Sequence, residues 1–243
     1  MFTLQGSGRN SGSRKYQDTS TLFEEEDTGL NFKAGKYNLG DFSSREDWEN
    51  PLIFERNKEK AHAEAISWDS LEDAIQDGTS PWKLSLDGIW DFRWVPYPAE
   101  KPEGFQETDY SVEGWDKIRV PGVLELQGYG TPYYLAFRYP PALSVRKKLI
   151  PRIDPLDNPV GSYRREFILP EGWLSRQVFL HLGAVKSAAR VWMNGLPVGY
   201  SQGSNTPAEF DVTETLKPEK NLLAVEVYRY SDGTYLEDQD MWF

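Results

Sequence analysis

The sequence has no cysteine, only two histidines and three methionines in 243 residues. Without cysteine there is neither a disulfide framework nor a thiolate metal site. His62 and His181 each lack a neighbouring histidine in sequence, so both are read as structural rather than as bases or ligands. No run of about 18 apolar residues occurs, which excludes a membrane-spanning helix. Residues 1–10 contain no apolar segment of the secretory kind. That absence and the lack of cysteine point to the cytoplasm. Bases are also short: 27 Lys and Arg stand against 38 Asp and Glu, for a net charge of −11. A chain this acidic is repelled by phosphate backbones, so nucleic acid is not an expected partner.

Aromatic residues, by contrast, are plentiful, at 14% of the chain with nine Trp and thirteen Tyr. Such rings favour a β-rich core, and carbohydrate contact is their second use. The length suits one large domain or a domain plus an arm. Residues 1–44 are rich in Gly, Ser, Asn and charge, with a like-charge block at Glu24, Glu25, Glu26 and Asp27. This composition predicts a poorly ordered acidic tail. An extended arm is expected over 45–82. Pro51 holds the residue before it extended. Residues 70–76 carry the pattern of one short helix, with Ser70 as N-cap and acids in the first turn.

From 83 onward, strand signals alternate with turn chemistry. Strands are expected at 84–86 and 89–94 around Asp87-Gly88, at 115–120 before Pro121, and at 163–169, 177–182, 189–193, 196–200 and 221–230. Asn194-Gly195 between two of them is a strong hairpin signal. Trp90 is assigned to the core, and the basic knot Arg146-Lys147-Lys148 to solvent. The spacing predicts an all-β fold, an antiparallel β-sandwich or jelly roll over 83–243.

The densest acidic cluster closes the chain. Asp232, Glu237, Asp238 and Asp240 are interleaved with Tyr235 and Trp242, directly after the strand ending near 230. Ser231-Asp232-Gly233 is a turn signal, because Asp can bond its own backbone and Gly accepts positive φ. Carboxylates that accept from ring hydroxyls, beside rings that cover a sugar's C–H face, can hold a carbohydrate. The plain alternative is a solvated acidic turn.

The run from Tyr230 through Ser231-Asp232-Gly233-Thr234-Tyr235-Leu236-Glu237-Asp238-Gln239-Asp240-Met241 to Trp242 resembles the segment closing the N-terminal sugar-binding domain of family 2 β-galactosidases. Leu86-Asp87-Gly88-Ile89-Trp90-Asp91-Phe92 is similar to the opening of that domain. Val191-Trp192-Met193-Asn194-Gly195 and Ser204 to Asp211 follow the same pattern. Trp48-Glu49-Asn50-Pro51, Asn57 and Ala61-His62-Ala63 resemble its preceding arm, which in the family packs on the body and helps assemble subunits. The resemblance implies a galactose-binding-like jelly roll with an extended N-terminal arm.

It further implies that Asp232 reaches from the rim of this domain, binds galactose hydroxyls and contributes to a sodium site. Glu237, Asp238, Asp240 and Trp242 would hold the loop and the domain junction. The family's two catalytic glutamates sit on a (β/α)8 barrel of about 250 residues, which is not in this sequence. No catalytic residue is therefore expected here, and the chain alone is expected to be inactive: a fragment that positions a β-galactoside for retaining hydrolysis. The complete enzyme would use magnesium and sodium, contain the barrel and form a homo-oligomer. Gly128-Tyr129-Gly130-Thr131-Pro132 to Pro140 resembles a segment that reaches the galactose site. Ala136 stands there in place of an Asn that contacts a sugar hydroxyl, at a cost of roughly 0.5–1.5 kcal/mol. Tyr133, Tyr134 and Phe137 could stack on a sugar or pack a wall. Two other readings stay open: a free-standing carbohydrate-binding module, and a broken product that only assembles with other subunits.

Overall fold

The computed structural model describes residues 2–8, 45–76, 79–132 and 151–237. The strands in chain order are β1 (Phe2–Ser7), β2 (Glu55–Arg56), β3 (Lys83–Ser85), β4 (Gly88–Val95), β5 (Asp116–Val120), β6 (Val160–Ile168), β7 (Gln177–Leu182), β8 (Ala188–Met193), β9 (Leu196–Gln202), β10 (Ala208–Asp211) and β11 (Lys220–Tyr228). They form two sheets, one of seven strands in the order β2-β9-β8-β11-β6-β4-β5 and one of four in the order β10-β7-β1-β3. Neighbouring strands run antiparallel, as in the β11–β6 and β1–β7 pairs. The fold is the expected all-β sandwich, with a single short α-helix among the described residues, α1 (Leu71–Ile75), in the arm.

Alternation along the strands places the core. Trp90, Phe92, Ile118, Val191, Met193, Leu223 and Val225 of the larger sheet pack with Leu4, Val178, Leu180, Leu182 and Phe210 of the smaller. Each fully buried apolar side chain of this kind contributes about 1.5–3 kcal/mol. Trp90 is in the core as expected, 1% exposed, and its indole N–H donates to the Leu86 carbonyl at 2.9 Å.

A second apolar cluster unites Trp48, Val95, Ile153, Val160, Ala188, Tyr200, Tyr228 and Tyr230. The arm supplies Trp48, which stacks on Tyr228 with ring centroids 5.3 Å apart. Ion pairs fasten the same stretch. Arg56 donates two bonds to Asp47, at 3.0 and 2.9 Å, and Arg190 meets Glu46 at 2.7 Å. A two-point guanidinium–carboxylate contact fixes orientation as well as position.

Two local expectations change. Residues Phe2–Ser7 do not belong to a poorly ordered tail: they form β1, between β7 and β3, with Leu4 fully buried. Composition averaged over 44 positions hides six residues with a strand's alternation; residues 9–44 lie outside the described set. Asp87-Gly88 is not a hairpin turn, because β3 belongs to the smaller sheet and β4 to the larger. Gly88, at φ 135°, carries the chain across between sheets. The hairpin at Asn194-Gly195 is present, with φ of 55° and 84° joining β8 to β9. The Ser70 side chain caps α1 by accepting from the Asp73 N–H at 3.1 Å.

Candidate functional site

Strand β11 runs into the acidic segment through a clamp. The Asn158 amide donates to the Tyr230 carbonyl at 3.0 Å and accepts from the Tyr230 N–H at 2.9 Å. A single helical turn, Asp232–Tyr235, follows. Ser231 and Thr234 cap it reciprocally: the Thr234 hydroxyl oxygen accepts from the Ser231 N–H at 3.0 Å, and the Ser231 side chain accepts from the Thr234 N–H. The Ser187 hydroxyl reaches Ser231 from below at 3.2 Å. These bonds leave the Asp232 backbone little freedom.

Gln202, at the end of β9, holds the Asp232 side chain. Its Nε2 donates to Asp232 Oδ1 at 2.9 Å, and the same amide reaches the Tyr200 hydroxyl oxygen at 2.7 Å and the Asp47 carbonyl at 3.4 Å. Gly233 makes the arrangement possible, since a Cβ there would stand 2.5 Å from Gln202 Oε1. A strand end, a capped turn and the arm, distant in sequence, thus converge on one carboxylate.

Asp232, expected to reach from the rim of the domain, has its side chain buried among the described residues. Asp232 is 6% exposed. It lies among polar partners rather than in the apolar interior. Burial raises its pKa to about 6, an effect partly offset by the Gln202 hydrogen bond and the residue's own backbone N–H. Half-buried Glu49 of the arm is also shifted up, chiefly by burial, with Asp232 a minor contributor.

Glu237 ties this turn to the loop after β9. Its carboxylate accepts from the Ser204 N–H at 2.9 Å and the Ser204 hydroxyl at 2.5 Å. The Tyr235 hydroxyl donates to the Arg152 carbonyl at 2.9 Å. Asp238, Asp240 and Trp242 lie outside the described residues, as do Tyr133, Tyr134, Ala136, Phe137 and the basic knot at 146–148. The approach to that region is described through Pro132, and Arg229 Nη2 donates to the Thr131 carbonyl at 2.9 Å. A hollow of about 880 Å³ opens beside it, with Trp94, Tyr129, Tyr163 and Thr234 among its lining residues.

Sequence reasoning misses two features. Gln202 carries no local mark, since its partner lies thirty positions later. The two histidines, set aside separately above, meet on one acid. His181 Nδ1 lies 2.8 Å from Glu209 Oε1, and His62 Nε2 lies 2.9 Å from Glu209 Oε2. The backbone N–H of Glu59 donates to the Glu209 carbonyl at 2.8 Å, so the arm is fastened to β10 as well. The His62 pKa is raised, first by the Ala63 carbonyl and then by Glu209. Among the described residues no group of three or more His, Asp or Glu is arranged to hold a metal ion.

Fold and site together define an all-β domain of the β-sandwich kind, with a buried acid in the turn after its last described strand. Residues 84–243 match the family described as "Glycosyl hydrolases family 2, sugar binding domain", and the chain belongs to it. It is 41% identical over 196 residues to a β-galactosidase of Priestia megaterium, covering 79% of this chain and 19% of that protein. A β-galactosidase of Alteromonas mediterranea is 39% identical over 203 residues, covering 82% and 19%. The chain thus spans 19% of the length of these curated relatives. Among solved structures, a β-glucuronidase of Bifidobacterium dentium complexed with coumarin-3-O-glucuronide aligns at 28% identity and a TM-score of 0.41, over 59% of this chain and 19% of that one. A β-glucuronidase of Ruminococcus gnavus aligns at 21% identity and a TM-score of 0.42, over 59% and 21%. Among the described residues no helix is long and apolar enough to cross a membrane.

Proposed function

We propose that this chain is the sugar-positioning part of a β-galactosidase that hydrolyses terminal β-D-galactosides with retention. One observation carries the reading. Within the family-matched span, β11 delivers a carboxylate whose backbone is capped and whose Oδ1 is fixed by Gln202. A carboxylate so held is ready to accept sugar hydroxyls through its other oxygen. Charge-assisted hydrogen bonds are roughly twice as strong as neutral ones.

Retaining hydrolysis needs an acid and a nucleophile about 5–5.5 Å apart across the scissile bond. Asp232 is engaged by an amide and Glu237 by Ser204, so both serve as holding groups. The bond-breaking pair is assigned to a (β/α)8 region outside this chain, and the complete enzyme to a homo-oligomer. Alone, the chain does not cleave. For sodium, Asp232 is proposed as one oxygen ligand, although its Oδ1 already accepts from the Gln202 N–H. The described residues offer no acid cluster suited to magnesium, and no step is derived through either ion. The aromatic-walled hollow beside Thr131 supports a second reading, a carbohydrate-binding module that works without a barrel. Calorimetry with galactose separates the two. The module gives saturable binding by the isolated chain, and the half-site gives none until the catalytic region is added.

A further inference from the structure

Strand β1 stands far ahead of the family-matched span, yet it sits inside the smaller sheet rather than at its edge. Six of its residues, Phe2 through Ser7, pair with β7 from Leu182 to Gln177, and Thr3 to Gln5 pair with β3. Further bonds close both ends. The Phe2 N–H donates to Asp87 Oδ1 at 3.0 Å, the Leu86 N–H to the Phe2 carbonyl at 2.8 Å, and the Gly6 N–H to the Trp82 carbonyl at 2.9 Å. Remove β1, and two strand edges face solvent while the place of Leu4 in the core stands open. Unpaired edges of this kind recruit another strand.

We propose that the cleft between β7 and β3 is a strand-acceptor site, which the Phe2–Ser7 segment of a second copy of this chain can fill, exchanging β1 between molecules. Every contact named above joins β1 to the acceptor, and none depends on the covalent link to the arm. The same contacts form in cis and in trans, which is the condition for exchange of an identical element. Residues 9–44 make the connection, with a contour on the order of 100 Å at full extension, ample to reach a neighbour. Main-chain pairing supplies the recognition, as in strand addition to a sheet. The side chains fit less completely: Thr3 Oγ1 and Gln5 Nε2 are buried without hydrogen-bond partners, which is uncommon in a settled native sheet. The inference stands apart from the sugar-binding reading.

The absence of cysteine allows a direct test with engineered thiols. Ser7 and Gln177 are directly opposed across β1 and β7, a spacing that a disulfide spans. The full-length single variants S7C and Q177C are refolded together and oxidised, and a double variant S7C/Q177C is oxidised when dilute. The double variant should close within one molecule. The mixed singles should form an S7C–Q177C heterodimer that increases with concentration and exceeds an S7C control mixed with a thiol at exposed Leu126. A double variant that closes without any heterodimer overturns exchange, and a double variant that stays open overturns the acceptor site itself. A measurement on the native chain guards against misfolding of the variants: a labelled peptide of residues 1–8, present during refolding, should be retained, and its Leu4→Asp form should not. Equal retention or none for the two peptides contradicts the proposal.

Discussion

At the scale of the residue, the pKa of Asp232 gives it a measurable signature. Burial raises the folded value to about 6, above the unfolded carboxylate near 3.9. The folded state therefore holds this proton more tightly, and ionised Asp232 opposes folding. Its contribution to stability is greatest below about pH 4, falls as pH rises to about 6, and is constant above. Asp232→Asn keeps an oxygen for Gln202 and removes the charge. The variant should match the native chain at pH 4 and exceed it in stability at pH 7, by urea unfolding across that range. Lower stability of the variant at pH 7 would contradict the burial argument.

Gly233→Ala drives a methyl into Gln202 and should cost about 1–3 kcal/mol, as overpacking does. Much of that loss should disappear in the Q202A/G233A pair, because the two sites share one contact. His62 offers a third test. Its pKa is raised by the Ala63 carbonyl and Glu209, so its contribution to stability is present below the unfolded value near 6.5 and lost as pH rises through the folded one. Proton NMR titration should place His62 above 6.5 in the native chain and closer to it in E209Q. At this scale the sequence marks Asp232 through its turn and its resemblance. It gives no sign of Gln202 or of the His62–Glu209–His181 cluster, because those partners meet only after β7, β9, β10 and the arm have packed.

At the scale of the element, the arm is the piece whose removal should matter most. It covers the outer cluster with Trp48 and locks through Arg56, Asp47, Glu46 and Arg190. Trp48→Ala should destabilise by about 3–5 kcal/mol. Limited proteolysis should then cut between 57 and 66 faster than in the native chain; unchanged cutting there would show that the arm docks without Trp48. The hairpin at Asn194-Gly195 is legible because both positions need positive φ and both residue types supply it. β11 is legible because a short, nearly continuous apolar run bounded by turn signals fits a buried strand. β1 is not, since six residues beside a polar stretch acquire a strand's identity from edges that other segments provide. The Asp87-Gly88 crossing is misread for a related reason: a glycine turn looks the same whether the chain folds back within one sheet or passes to another.

At the scale of the whole molecule, the seven-stranded and four-stranded sheets and the arm pack into one sandwich. Two sheets and an arm hold one acid among polar partners, within a span that matches a sugar-binding-domain family. The most direct measurement is turnover of a chromogenic β-galactoside by the isolated chain, by a separately produced catalytic region from a relative, and by the two combined. Neither part alone should release the chromophore and the mixture should, with Asp232→Asn lowering the recovered rate about 10- to 100-fold, the worth of a charge-assisted hydrogen bond. Hydrolysis by the chain alone, or a mixture indifferent to Asp232→Asn, would contradict the account.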